Sequence, residues 1–309
     1  MDFLFLSLIT SGCVSATVPA SKFTVHVTDV ETGLPITSAV VRTTFEHVYD
    51  PWGNKKPKVD RRKEVVEPEG RIIFSGKSVR PGIGCSVSAD GYYADWGGLE
   101  KTKKNLILNR WDPWNPTIEV KMRRTKNPVP MVNKRVEWKF KIPEYNTPIG
   151  LDLERGDWVQ PYGNGVVSDM LIEIIPLNPP EKGSQCRITF PNERDGIQEH
   201  KFQWPSSEFK WPYLAPTNGY SNVLEKFYVL NLPKIASAPK HTLKKERNCI
   251  IRTRTKDDEG QIISACYGYF EGEIMFLPKG EFSFSYHFNP VPNERSLEYN
   301  GENILTEEK

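Results

Sequence analysis

The sequence predicts an all-β protein. Apolar and polar residues alternate with a period of two in several segments, as expected of strands with one buried face. Phe23, Val25 and Val27 show this alternation near one end of the chain, and Phe282 and Phe284 show it near the other. The 25 prolines and 22 glycines favour turns, and no helical periodicity extends beyond two turns. Further predicted strands of the first half are Arg71–Ser75, Ile83–Ala89, Asn105–Leu108 and Thr117–Arg124.

A proline-rich junction predicts two domains. The 309 residues suffice for two domains that each bury a core. Pro128 and Pro130 interrupt the strand pattern, because proline cannot continue a central strand. A new alternation then places Val136, Trp138 and Phe140 on one face. The expected segments are a β-sandwich at 17–125, a linker at 126–133, a second β-sandwich or jelly-roll-like domain at 134–300 and a frayed tail at 301–309.

The first domain resembles a known module. Phe23–Thr28 is a predicted strand, Asp29–Pro35 a predicted turn, and a second strand rich in β-branched residues follows. Gly70 precedes an apolar run, and the pair Gly91–Tyr92 follows another predicted strand. Over residues 22–125, these features resemble the bacterial carboxypeptidase regulatory-like domain. The resemblance implies an Ig-like, prealbumin-type β-sandwich that supports or presents another element and has no chemistry of its own.

The N-terminus predicts export from the cytoplasm. The apolar run Phe3–Ile9 precedes small residues, and a cleavage site at Val14–Ala16 would remove a signal peptide of residues 1–16. Thr10–Cys13 also resembles a lipoprotein cleavage box, in which Cys13 carries the lipid. The alternative is a buried N-terminal strand. Because Tyr286–Asn300 resembles the C-termini of uncharacterised exported bacterial proteins, we expect a periplasmic or extracellular protein, or an outer-membrane lipoprotein.

Two cysteines of the second half are candidates for a disulfide. A hairpin is predicted within 248–268, and a register with Thr255 opposite Gly260 would place Cys249 opposite Cys266. Opposed residues can meet the Cα separation of about 5.5–6 Å that a disulfide prefers. The alternative is a pair of free, buried thiols.

Tryptophans in polar loops form the first candidate ligand site. They are Trp52, Trp96, Trp111 and Trp114, and Trp52 belongs to a predicted insertion-like loop at 47–69. An exposed tryptophan lowers solubility unless it contacts a partner. Since indole rings stack on sugar faces, a polysaccharide is the leading candidate ligand. In the alternative interpretation, the rings close the ends of the sandwich or pack at a domain interface.

The loop Gly156–Gly165 forms the second candidate ligand site. It combines Asp157, Trp158, Tyr162 and Asn164 between two predicted strands. Loops with acids, amides and aromatic rings hold polar ligands in many proteins. This composition therefore favours a second contact with a sugar.

Three carboxylates near this loop define a catalytic alternative. A glycoside hydrolase needs two carboxyl groups about 5–9.5 Å apart across the scissile bond, and Asp152, Glu154 and Asp157 are the candidates. The same side chains can instead cap backbone amides in a turn. Convergence of the carboxylates in a cleft beside Trp158 and Tyr162 would favour an enzyme, whereas a flat Trp-lined surface would favour a binding protein.

Other classes of site find no support in the sequence. The chain has no Cys-x-x-Cys or His-Glu-x-x-His spacing, so neither a metal nor another cofactor is predicted. The formal net charge of +2 and the lack of aromatics among the basic clusters argue against nucleic acid. Beyond the N-terminus, no apolar run approaches the roughly 20 residues of a transmembrane helix.

Taken together, these patterns favour a non-catalytic binding or scaffolding protein of the cell envelope. Its candidate partners are a polysaccharide or another envelope protein. The alternatives are a hydrolase with its carboxylates in the second domain, and a subunit of a secreted assembly that uses the tryptophan loops as protein contacts.

Overall fold

A computed structural model describes residues 18–47, 58–100, 102–177, 182–230, 240–242 and 247–305. The regular secondary structure in these ranges consists of β-strands, and they contain no helix. The prediction of an all-β fold is therefore confirmed. No membrane-spanning helix occurs in this part of the chain. The predicted signal peptide, Cys13 and Trp52 lie outside the described residues.

The chain forms two compact units. The first unit comprises the residues up to Arg124 together with Trp204–Phe209, and the second comprises Thr125–Gln203 and the residues from Lys210 onward. Each unit contains two sheets with an apolar core of its own. This arrangement has the character of a β-sandwich.

The first unit contains nine strands. They are β1 (Ala20–Asp29), β2 (Val40–Glu46), β3 (Val59–Val65), β4 (Arg71–Lys77), β5 (Ile83–Ser88), β6 (Asp95–Leu99), β7 (Lys103–Asn105), β8 (Arg110–Asp112) and β9 (Thr117–Met122). One sheet has the order β4-β1-β8-β7, with β9 also paired to β1, and the other has the order β3-β2-β5-β6. The predicted strands near β4, β5 and β9 are therefore confirmed.

The predicted turn after β1 connects the two sheets. It reverses the chain at Gly33, whose φ of 69° favours glycine. One carboxylate oxygen of Asp29 accepts hydrogen bonds from the Glu31 and Thr32 amides, each at 2.9 Å. The strands on either side of the turn lie in different sheets, and their alternating residues Phe23, Val25 and Val41 meet in the shared core.

Two elements of the first unit differ from the sequence predictions. Part of the predicted loop 47–69 is the edge strand β3, which pairs with β2 along its whole length. Its charged residues remove the alternation of apolar and polar residues that predicts a strand. Such charged residues are nevertheless typical of edge strands. The predicted strand Asn105–Leu108 is wrong beyond Asn105, because Leu106 to Asn109 form the turn of the β7–β8 hairpin.

The second unit contains twelve strands. They are β10 (Val129–Lys141), β11 (Ile149–Asp152), β12 (Asp157–Trp158), β13 (Met170–Pro176), β14 (Lys182–Thr189), β15 (Gly196–His200), β16 (Val223–Leu230), β17 (Lys240–His241), β18 (Asn248–Asp258), β19 (Gln261–Phe276), β20 (Glu281–Asn289) and β21 (Tyr299–Asn303). One sheet has the order β15-β18-β19-β20-β10-β21, and the other has the order β12-β11-β13-β14-β16-β17.

A β-bulge changes which side chains of β10 face the core. The register with β20 shifts between Val136 and Phe140. As a result Val136 is buried, whereas Trp138 is 42% exposed, and the expected common face of the two residues is wrong. The alternation in β20 is confirmed, because its aromatic side chains are all buried: Phe282, Phe284, Tyr286 and Phe288.

Both predicted ends of the second domain require correction. The linker at 126–133 is strand from Val129 onward, and Pro130 lies where the pairing of β10 with β21 is irregular. A bulge tolerates proline, because the missing N–H is not needed there. The predicted tail at 301–309 begins inside β21, which pairs with β10 as far as Asn303.

The predicted disulfide is also wrong. Cys249 lies opposite Phe270, and Cys266 lies opposite Thr253, so the register differs from the predicted one by four residues on β19. The position of the turn causes this shift, because Asp258 already pairs with Gln261, whereas the prediction placed Thr255 opposite Gly260. The four described cysteines are free and buried: Cys85, Cys186, Cys249 and Cys266.

Candidate functional site

The exposed face of the β3-β2-β5-β6 sheet carries the site that we consider the best candidate. Cross-strand pairing places Lys63 opposite Arg42, Arg42 opposite Ser86 and Ser86 opposite Trp96. Directly paired residues project from the same face of a sheet. The four side chains therefore form one row, which crosses four strands and extends about 15 Å at the usual strand spacing.

This row lies in a shallow groove. One part of the groove has a volume of about 650 Å³ and is lined by Arg42, Ser86 and Trp96, among others. A second part of about 380 Å³ shares Arg42 and Ser86 and adds Arg61 and Lys63. We call both parts together the outer groove. The volume of each part falls in the range typical of sites for small organic ligands.

Strand alternation fixes the exposed position of Trp96. The neighbouring Asp95 is buried, and its carboxylate accepts a hydrogen bond from the Trp96 amide at 2.7 Å. Burial raises the pKa of Asp95. Gly97, the next residue, faces the core against Ile118 and Val120 and leaves no room for a Cβ atom. With both neighbours held on the inner side, Trp96 projects outward and is 52% exposed.

Glycines make the groove floor flat beside this ring. Gly84 pairs with Gly98 across β5 and β6, two residues along from Ser86 and Trp96 and thus on the same face. A Cβ atom on Gly98 would approach the Ile83 carbonyl oxygen to 2.7 Å, so glycine is required there. Two facing glycines leave the backbone open to a flat ligand next to an indole face.

The charged side chains that line the outer groove are mostly basic. Arg42, Arg61 and Lys63 are exposed, and Arg42 donates a hydrogen bond to Ser88 Oγ at 2.8 Å. Among the described residues, none of these three cations forms an ion pair with an acid. Arg80 differs, because it pairs with Glu46 at the end of the groove. Exposed cations without acidic partners are suited to bind anionic groups.

The one thiol beside the outer groove among the described residues, that of Cys85, is not available as a nucleophile. Cys85 lies under the groove floor, and burial raises the pKa of this thiol to about 11. The thiol is therefore protonated at neutral pH and unreactive. Within the described ranges, no group of three or more His, Cys, Asp or Glu side chains could hold a metal ion.

Trp111 and Trp114 are not among the residues that line the outer groove. Trp111, on β8, is partly buried, and its Nε1 donates a hydrogen bond to the Ser78 carbonyl at 2.8 Å. Trp114 is 38% exposed, with the guanidinium of Arg110 5.1 Å from the centre of its ring. Trp111 thus closes part of the sandwich, in agreement with the alternative interpretation, while Trp114 stays available.

The loop Gly156–Gly165 is closed by its own side chains. The Asp157 carboxylate accepts hydrogen bonds from the Trp158 and Asn164 amides, each at 2.8 Å. Trp158 is 4% exposed, stacks on Phe140 with 4.6 Å between ring centres, and donates to the Lys141 carbonyl. Trp158 therefore belongs to the core, and the prediction that it contacts a ligand is wrong.

Tyr162 and Asn164 remain the more accessible members of this predicted site. Tyr162 is 43% exposed, and its hydroxyl donates a hydrogen bond to a Glu144 carboxylate oxygen at 2.6 Å. The carbonyl of Asn164 accepts a hydrogen bond from Arg155 Nη1 at 3.3 Å. Without an exposed ring at position 158, the loop lacks the stacking surface that its sequence indicates.

Two carboxylates of the catalytic alternative, those of Asp152 and Asp157, cap backbone amides. Asp152 accepts hydrogen bonds from four amides, those of Glu154, Arg155, Val166 and Val167. Burial opposes ionisation of Asp152, but these bonds lower its pKa below the usual value. They give Asp152 the role of a turn residue, as the structural alternative predicts.

Arg254 forms ion pairs with Asp152, Glu154 and Asp169. Its guanidinium donates to Asp169 at 2.8 and 3.0 Å and to Glu154 at 2.5 Å. Burial raises the pKa of Asp169 in spite of this bidentate contact. Arg254 thus bridges Glu154 and Asp169, and both carboxylates are held in ion pairs.

Comparisons with known proteins supply no further information on the site. No protein-family model, no curated protein and no solved structure matches the chain.

Sequence reasoning missed the cations of the outer groove and the tip of the β7–β8 hairpin. Arg61 and Lys63 are separated by one residue, which is the spacing of side chains on one face of a strand. That spacing was a usable signal, although the surrounding charges disguised the strand. The tip residues Leu106, Ile107 and Leu108 form a short apolar run between two asparagines, which is equally typical of a buried strand.

Proposed function

We propose that the protein binds an acidic polysaccharide without modifying it, and that the outer groove is the binding surface. The observation that carries the proposal is the row Lys63–Arg42–Ser86–Trp96 on one exposed sheet face. An exposed indole beside a flat glycine floor suits the apolar face of a sugar ring. Cations at the other end of the row suit its carboxylate or sulfate groups.

The protein is proposed to act outside the cytoplasm, in the cell envelope. The apolar run Phe3–Ile9 and the small residues before position 17 support export. The strand–turn–strand pattern of β1 and β2 supports the proposed relation to carboxypeptidase regulatory-like modules, which present other elements and carry no chemistry of their own. Binding without catalysis agrees with both.

Affinity electrophoresis and calorimetry with the full chain test this function. Alginate is the acidic probe and dextran the neutral probe. We expect alginate to retard the wild-type chain and dextran to leave it unaffected. Trp96→Ala should weaken alginate binding about 10-fold, as expected for the loss of one stacking ring at a binding centre. Arg42→Ala with Lys63→Ala should weaken it further and reduce its sensitivity to salt.

Trp138→Ala is the matched control, since Trp138 is 42% exposed on β10, in the second unit. It removes an exposed indole of similar accessibility without touching the outer groove. Alginate binding that is equally weak in the Trp138 and Trp96 variants would disprove the role of the groove. A wild-type chain that binds neither probe would disprove the function itself.

A further inference from the structure

The tip of the β7–β8 hairpin exposes three consecutive aliphatic side chains. Leu106 is 80% exposed, Ile107 is 94% exposed and Leu108 is 55% exposed. They occupy the turn between the paired residues Asn105 and Arg110. Soluble proteins expose single apolar residues routinely, but a contiguous group of them at an apex indicates an interaction site.

The hairpin holds this tip in a defined conformation. Asn105 Oδ1 accepts a hydrogen bond from the Leu108 amide at 3.1 Å, and Asn105 Nδ2 donates to Asp112 at 2.8 Å. The carbonyl of Asn109 accepts a bond from the Ala20 amide at 2.9 Å, which ties the turn to β1. Asn109 itself has a φ of 45°, a value that asparagine tolerates. The apolar side chains are thus presented by ordered backbone.

Basic side chains surround the base of the tip on both faces of the hairpin. Lys103 is paired with Asp112 and Lys104 with Trp111, so the two lysines project to opposite sides. Both are exposed, and within the described part of the chain neither forms an ion pair. Arg110 adds a third cation, whose Nε lies 2.9 Å from Asp112. Trp114, 38% exposed, lies against this arginine.

We propose that this tip inserts into the interface of a lipid bilayer that carries anionic headgroups. Leucine and isoleucine at the apex would enter the acyl boundary, while the lysines and Arg110 would remain at the level of the phosphates. Tryptophan beside the tip fits the headgroup region, where amphipathic rings concentrate in membrane proteins. The proposal does not depend on the function of the outer groove.

The shape of the tip favours a bilayer over a protein as its occupant. A stable protein interface buries about 800 Å² on each partner. A four-residue turn that protrudes between charged strands offers much less. A fluid lipid phase needs no complementary surface and accommodates a convex apolar tip directly. Because the neighbouring side chains are cationic, we expect a preference for anionic lipid.

Vesicle sedimentation of the full chain tests the proposal. Vesicles of phosphatidylcholine alone are compared with vesicles that contain phosphatidylglycerol in addition. We expect the wild-type chain to sediment with the anionic vesicles and much less with the neutral ones. The triple change Leu106→Ser, Ile107→Ser and Leu108→Ser should lower the partition coefficient at least about 10-fold, since each side chain contributes the transfer of its apolar surface. Because these side chains are more than half exposed, the variant should fold normally.

Leu34→Ser is the matched control. Leu34 is also an aliphatic residue of a turn in the first unit and is 64% exposed, but it lies in the turn between β1 and β2. It should leave sedimentation unchanged. Lys103→Glu with Lys104→Glu should abolish the preference for anionic vesicles. An environment-sensitive fluorophore attached through Ile107→Cys should shift to shorter wavelength on vesicle addition, whereas one attached through Leu34→Cys should not.

Two outcomes would overturn the proposal. One is equal sedimentation of the wild-type chain and the triple serine variant with anionic vesicles. The other is a wild-type chain that binds neither vesicle. In that case the tip would instead insert into a groove of a partner protein.

Discussion

Lys226 and Glu273 form an ion pair inside the apolar core of the second unit. Lys226 lies on β16 in one sheet and Glu273 on β19 in the other, and both side chains are almost fully buried. Lys226 Nζ also donates a hydrogen bond to the Ile274 carbonyl at 3.1 Å. The pair therefore joins the two sheets through a polar contact, and Arg247 Nε lies 3.7 Å from the other carboxylate oxygen of Glu273.

We expect the loss of one partner of this pair to cost more than the loss of both. Lys226→Met leaves the Glu273 carboxylate buried without its main partner, and should lower the free energy of unfolding by about 3–5 kcal/mol. The double variant Lys226→Met with Glu273→Leu removes both charges and should recover most of that loss. Urea denaturation of the three chains measures the difference. A double variant less stable than Lys226→Met would contradict this account.

Asp29 should stabilise the first unit in a pH-dependent manner. Burial of its carboxyl disfavours the charge, but bonds from the Thr32 amide, Arg124 and Tyr92 outweigh burial and hold the pKa of Asp29 well below its usual value. A lowered folded-state pKa means that the contribution is complete above the unfolded-state value of about 4 and is lost as the pH falls further.

Asp29→Asn tests this relationship. At pH 7 the change should lower the free energy of unfolding by about 1–3 kcal/mol, because it removes a charged acceptor. The difference from wild type should shrink as the pH is lowered below about 4. Asp90→Asn, at an exposed turn position, is the control and should have little effect. A difference that stays constant down to acid pH would show that the charge is not involved.

His287 should make the second unit sensitive to mild acid. Its ring lies between those of Tyr269 and Tyr299, each 4.7 Å away, and its Nδ1 has no hydrogen-bond partner among the described residues. Burial lowers the pKa of His287 to about 4. In the unfolded chain the pKa of histidine is near 6.5. At pH values between about 4 and 6.5, the unfolded chain therefore binds a proton at this histidine and the folded chain does not.

The expected result is a decrease of stability as the pH falls from about 6.5 to about 4, by roughly 3 kcal/mol from this residue. His287→Phe keeps an aromatic ring in the stack and should reduce the slope of stability against pH in that range. Thermal unfolding at a series of pH values measures the slope. An unchanged slope in the phenylalanine variant would exclude His287 as its source.

Trp158 should act as a core residue and not as a ligand contact. Trp158→Ala removes a buried ring that stacks on Phe140, and should lower the free energy of unfolding by about 3–5 kcal/mol. Tyr162→Ala, in the same loop but exposed, should cost less than about 1 kcal/mol. Chemical denaturation compares the two. Comparable losses in both variants would contradict the assignment.

The described cysteines should behave as unreactive thiols. Burial raises the pKa of Cys186 and Cys249 to about 12 and that of Cys266 to about 11. In a chain with Cys13→Ser, reduction should leave the mass unchanged, and alkylation at pH 8 should require denaturant. A mass increase of two hydrogens on reduction would show that a disulfide had been present after all.

The sequence predicted strands well where one face of the strand is buried throughout. The aromatic face of β20 and the alternation in β1 follow from the period of two, because core side chains and solvent-exposed side chains must alternate on a pleated strand. The edge strand β3 was not predicted by this alternation. β3 has no continuous apolar face, so only its pairing with β2 reveals it. The exposed run at 106–108 has the composition of a buried strand, and its position on a turn depends on the bonds of Asn105.

The candidate sites show the same division. The sequence alone determined the all-β class, the turn after β1 and the list of tryptophans and carboxylates able to contact a ligand. The tertiary structure decided which of these are accessible: it exposes Trp96, buries Trp158 and directs the oxygens of Asp152 to backbone amides. The physical reason is that register, bulges and sheet partners arise from contacts between residues distant in sequence. A shift of one position moves a side chain from the core to the solvent.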